Sequence, residues 1–156
     1  KYPDVKFLEP NVPRSEILSK FFPKTVKFVL PSYMDTFGMV FLEAMSSGIP
    51  IVSTNTFAIP EIIGKAGLCV DASKFSWYGK DCLFAWKSWD EFEKYCETQD
   101  KPDVVDELVK NTAKLIESSN LRKAMGAAGM REISDGRFSI ACRNSQLKRI
   151  YEEAAD

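Results

Sequence analysis

Apolar residues in this chain fall into short runs, and the stretches between them have helical spacing. Val5–Leu8, Val26–Leu30, Ile49–Ser53 and Leu68–Val70 are rich in β-branched and aromatic residues and lack regular polar alternation. Strands of a parallel sheet covered on both faces read this way. Between them, Ser15 suits the N-cap of a short helix over Glu16–Phe21, which Pro23 ends. A second helix is expected from about Thr36 to Ser47, stopped by Gly48. Pro60 fits the first turn of a third, over Glu61–Ile63. This alternation predicts βαβ units and a Rossmann-like, doubly wound α/β sheet.

The second half of the chain reads differently. Residues 72–102 hold all three tryptophans (Trp77, Trp86, Trp89) with Phe75, Tyr78, Phe84, Phe92 and Tyr95. Two readings stand: a small element that packs its own aromatics, or a surface for an acceptor, a partner or a membrane. Residues 103–156 read as closing helices. Over Asp103–Glu117, apolar residues at 104, 105, 108, 109, 115 and 116, with the Thr112 methyl, form one stripe. Asn120 is the expected cap of Leu121–Glu132, where Gly126 and Gly129 either weaken the helix or allow close packing. Ser139–Glu153 ends the chain.

Composition narrows the classes. The chain has 156 residues, room for one domain at most. Hydrophobic content of 45% supports a core, and a net charge of −1 gives no bulk attraction to nucleic acid or anionic lipid. No apolar run approaches the ~20 residues a membrane span needs. No signal peptide is visible and the first residue is Lys1, which points to a processed or truncated start. There is no histidine, so no imidazole base, and no Cys-x-x-Cys pair. Cys69, Cys82, Cys96 and Cys142 read as free thiols of a reducing, cytoplasmic compartment, not as a metal site.

Candidate chemistry concentrates between Leu30 and Ser53. Asp35 precedes the expected helix and Glu43 follows eight positions later. On a helix that spacing puts the two about 80° apart, so both carboxylates are expected to face one cleft at the strand ends. The backbone N–H groups of Thr36, Phe37, Gly38 and Met39 would lie at the positive end of the helix, open to an anion. Gly38 lets a ligand approach the main chain closely. A plainer reading makes Asp35 an N-cap and Glu43 a solvent-facing residue. Glu43 fits that reading poorly, because its helix is otherwise apolar and a largely buried carboxylate needs a partner. Lys6, Arg14 and Lys65 read as solvated surface charges.

The run Asp35-x-Phe37-Gly38-x4-Glu43-Ala44-Met45-x2-Gly48-x-Pro50-Ile51-Val52 resembles the Glu-x7-Glu signature of the group 1 (retaining, GT-B fold) glycosyltransferases. Val5–Leu8 with Ser15–Leu18, Ile59–Ile63 and Phe138–Glu153 resemble flanking elements of that family. Two departures stand out: Asp35 replaces the usual Glu, and Phe57 and Ala58 replace glycines. The resemblance implies that this chain is the second half of a GT-B nucleotide-sugar-binding domain, with 72–102 as an insertion. It implies retaining transfer of a hexose from a nucleoside-diphosphate sugar to an acceptor, without a metal or other cofactor. Asp35 and Glu43 would be catalytic. Asn11, Val12, Thr36, Phe37, Gly38, Met39, Val40 and Glu43 would bind the donor, with Glu43 on its ribose. The family's first half-domain and N-terminal acceptor domain have no counterpart here, so a fragment of a longer polypeptide is expected. In the sheet order 3-2-1-4-5-6, Val5–Leu8 and Val26–Leu30 would be strands three and four, which are not neighbours. The other reading is a non-catalytic nucleotide- or partner-binding module on the same fold, favoured by the departures at 35, 57 and 58.

Overall fold

The computed structural model describes residues 3–35, 37–75 and 86–155. Three parallel strands, β1 (Phe28–Leu30), β2 (Ile51–Thr54) and β3 (Gly67–Val70), pair in the order β1-β2-β3. Phe28 lies opposite Ile51, and Ile51 opposite Gly67. The crossovers are α2 (Met39–Ser46) between β1 and β2, and α3 (Ile59–Ile63) between β2 and β3. Before the sheet, α1 (Arg14–Glu16) runs on as a π turn (Ile17–Phe21) and a 3-10 turn (Phe22–Lys24). After it come α4 (Trp89–Thr98), α5 (Pro102–Glu117), α6 (Ser119–Ser134) and α7 (Ile140–Glu153). The chain is thus a partial Rossmann-like α/β fold.

Central β2 is buried at all four positions, which is why its sequence shows no polar alternation. One face carries the main core: Phe22, Phe41, Ala44, Met45, Ile59, Ile62 and Ile63. On the other, Val70, Ala72 and Val104 pack with Tyr33, Tyr95, Cys96 and Leu108. In α5 only half of the expected stripe is used. Val104 and Leu115 are buried, whereas Val105, Val109 and Ile116 are exposed.

Val5–Leu8 is not a strand. Among the described residues nothing runs beside it, and Val5, Phe7 and Leu8 are exposed. A strand needs a neighbour for its N–H and C=O groups, so apolar composition alone did not make one. It does not pair with β1, whose one neighbour among the described residues is β2. Two expected caps also shift. Ser15 lies inside α1, and α6 is capped by Ser118, whose hydroxyl accepts from Leu121 N at 3.2 Å, rather than by Asn120. The aromatics described in the 72–102 stretch pack on one another, Trp86 on Tyr95 at 4.5 Å and Trp89 on Phe92 at 5.5 Å. Trp77, Tyr78, Phe84 and Cys82 lie outside the described residues. Cys69, Cys96 and Cys142 are free thiols.

The two glycines of α6 serve close packing. A Cβ on Gly126 would stand 2.2 Å from the Gly48 carbonyl oxygen, and one on Gly129 would stand 3.2 Å from Met45. Helix α6 therefore lies directly on the C-terminal end of α2. Gly126→Ala should force the two helices apart and destabilise the protein by about 1–3 kcal/mol, the usual range for overpacking. An unchanged denaturation midpoint would show that the contact is looser than described.

Candidate functional site

The loop from β1 to α2 is held from below by buried hydroxyls. Thr54 Oγ1 and Thr56 Oγ1 both donate to the Ser32 carbonyl, Thr56 at 2.7 Å, and Ser53 Oγ donates to Leu30 O at 2.6 Å. All three side chains lie at or just past the C-terminal end of β2. They pin the segment that presents Asp35.

Asp35 is not on the helix and does not cap it. Its Oδ1 accepts from Phe37 N at 3.1 Å, a local turn two residues long. The helix begins only at Met39, because Gly38 holds φ +66°, ψ +56°, a left-handed conformation that interrupts it. The angular argument for Asp35 and Glu43 therefore fails: Asp35 comes from the loop and Glu43 from the second turn of α2. Phe37 and Met39 are exposed, and Val40 packs on the main core. Thr36 lies outside the described residues. At the helix start, on the C-terminal side of the sheet, Phe37 and Met39 are thus open to solvent, while Gly38 itself is buried, and its bare α-carbon faces Phe41 rather than the cleft.

Glu43 has a partner that the sequence did not identify. Arg14 Nε donates to Glu43 Oε1, with the Glu43 side chain 16% and the Arg14 side chain 69% exposed. Arg14 is therefore not a free surface charge, while Lys6 and Lys65 are exposed as expected. Asn11 and Val12 stand three and two residues before this arginine, Asn11 exposed with φ +71° and Val12 half-buried. The arginine thus brings the 11–14 loop to the flank of α2.

A second set of contacts holds the rim. Arg137 Nη2 donates to Glu61 O at 2.8 Å, and its Nε donates to Glu132 at 3.0 Å. That contact keeps the Glu132 carboxyl below the usual carboxylate range. The guanidinium lies over the Phe138 ring, which meets Phe37 edge-on with centroids 6.4 Å apart. Phe57, where the resembling family has glycine, sits at φ +50° in the loop between β2 and α3. At the end of β3, Asp71 accepts from Ser73 N and Asn55 Nδ2, both at 3.0 Å, and these bonds hold its carboxyl below the usual range.

The family pattern described as "Glycosyl transferases group 1" matches residues 2–77. The chain belongs to the group 1 glycosyltransferases. The D-inositol 3-phosphate glycosyltransferase of Corynebacterium diphtheriae is 38% identical over 153 residues, 97% of this chain and 28% of that protein. The enzyme of the same name from Corynebacterium jeikeium is 30% identical over 151 residues, 96% of this chain and 28% of its own length. The O-antigen chain mannosyltransferase B of Escherichia coli is 50% identical over 44 residues, 28% of this chain and 12% of that protein. The chain therefore spans little more than a quarter of the curated relatives that it matches over nearly its whole length. Among the described residues no cluster of three or more His, Cys, Asp or Glu could hold a metal, and no helix is long and apolar enough to cross a membrane.

Proposed function

We propose that this chain is the donor-binding part of a longer cytoplasmic glycosyltransferase that moves a hexose, with retention, from a nucleoside-diphosphate sugar to an acceptor, and needs no metal. The observation that carries the reading is the mostly covered Glu43 side chain one turn behind a helix start flanked by the exposed Phe37 and Met39. Along α2, Met39 and Glu43 are about 6 Å apart. A ribose at Glu43 would therefore leave its diphosphate within reach of the first N–H groups of the helix, where an anion is favoured. Asp35, at the loop's tip, would stand beside the sugar and the positive charge that develops on it during transfer. The remaining cations for the diphosphate and the acceptor site would come from outside this chain.

The test is nucleotide binding by calorimetry in the full-length protein. Glu43→Ala removes a charged acceptor of ribose hydroxyls, worth roughly 1.5–3 kcal/mol, so affinity for the nucleoside diphosphate should fall about tenfold or more. Unchanged affinity would remove Glu43 from the ribose site. Tight nucleotide binding without any transfer would instead favour the non-catalytic module.

A further inference from the structure

Resting on that reading of Glu43, we infer that Arg14 is a positioning residue for the donor ribose: it holds Glu43 by one carboxylate oxygen and leaves the other for the sugar hydroxyls. Three observations converge. Arg14 engages only Oε1, through Nε. Glu43 Oε2 has no donor among the described residues, and none of their buried side-chain nitrogens or oxygens goes unpaired, so Oε2 is open to solvent. The burial is lopsided, with the acid mostly covered and the guanidinium mostly exposed.

A surface ion pair contributes little to stability, and an Arg that is 69% exposed gains little from Coulomb attraction. What the contact does supply is orientation. A glutamate side chain has three rotatable bonds, and a fork-shaped donor that takes one oxygen fixes the direction of the other. The guanidinium stands in the chain three residues after Asn11, so the loop that flanks the nucleoside and the acid that reads its ribose are set by one bond. The contact links α1 to α2 near the site, while the main core is built from α2, the π turn that follows α1 and the sheet, with no residue of α1 in it.

The experiment compares UDP, GDP and ADP with their 2′-deoxy counterparts by calorimetry on the full-length protein. The variants are wild type, Arg14→Gln, Arg14→Lys and Glu43→Gln. Wild type should bind the matching ribonucleotide about tenfold tighter than its deoxy form. Arg14→Gln should erase most of that preference while leaving deoxynucleotide affinity and the melting temperature close to wild type. Arg14→Lys should restore part of it. A ribo-to-deoxy ratio in Arg14→Gln equal to wild type overturns the role of Arg14 while Glu43 on the ribose stands. Equal loss for both nucleotides would also overturn it, since a merely structural arginine would weaken both alike. Absence of any ribose preference in wild type, or of nucleotide binding, would overturn the ribose reading itself and this inference with it. Should Arg14→Gln fail to fold, the ratio in Arg14→Lys decides: a ratio reduced from wild type supports the role, and an unchanged ratio overturns it.

Discussion

Gly38→Ala is expected to destabilise the protein by about 2–5 kcal/mol and to weaken donor binding with it. Two independent costs meet at this residue. A left-handed backbone costs an L-residue roughly 1–2 kcal/mol, and Gly38 holds φ +66°. The new methyl would also stand 2.4 Å from Phe41 Cδ2, inside any van der Waals contact. Phe41 has no exposed surface and meets the Phe28 ring edge-on at 6.3 Å, so it has nowhere to retreat. Overpacking of this kind adds about 1–3 kcal/mol. The costs separate experimentally. Gly38→Asn should suffer less from the backbone term, because Asn tolerates the left-handed region, yet it keeps the collision. In a Phe41→Leu background the penalty of Gly38→Ala should shrink, a coupling that a double-mutant cycle measures. Denaturant unfolding gives each value. A Gly38→Ala protein with wild-type stability and wild-type nucleotide affinity would show that the loop has room the structure does not give it.

The same residue explains what could and could not be read from the sequence. The periodic apolar stretch located α2 well at its end, where Gly48 at φ +67° closes it and Ile49 N reaches back to Ala44 O at 2.9 Å. Its start was placed three residues too early. Asp at 35 suits an N-cap as well as an Asx turn, and only the conformation of Gly38 decides between them. The strands β1, β2 and β3 were legible because a covered parallel sheet demands continuous apolar runs. Val5–Leu8 carries the same composition and forms no strand, since pairing depends on a neighbour that composition cannot supply. The need for a partner at Glu43 was legible, because a carboxylate on an apolar helix must be compensated. That the partner is Arg14, from a turn 29 residues earlier, is a tertiary fact with no local signal. Likewise Thr54 and Thr56, past the expected end of the Ile49–Ser53 strand, carry no local signal, yet they converge on one carbonyl and set the loop that carries Asp35.

Asp35→Asn should reduce the transfer rate by about a hundredfold, the scale seen when one preorganised electrostatic group is lost, while stability changes by less than about 0.5 kcal/mol. The reasoning turns on what each carboxylate oxygen does. Oδ1 accepts from Phe37 N and forms the turn; an asparagine carbonyl does this equally well. The negative charge is the part that Asn cannot replace, and it matters only where positive charge develops, on the sugar in the transition state. Turnover should therefore fall with nucleoside-diphosphate affinity nearly unchanged. Release of nucleoside diphosphate by slow donor hydrolysis measures the rate without knowledge of the acceptor. Asp35→Ala is the companion variant. It loses both charge and turn, so it should match Asn in rate and fall below it in stability, because the Phe37 N–H then has no acceptor in place. Full turnover in Asp35→Asn would reduce Asp35 to a loop-forming residue. The aspartate found where the family usually carries glutamate would then mark a site that binds nucleotide and no longer depends on its first acid.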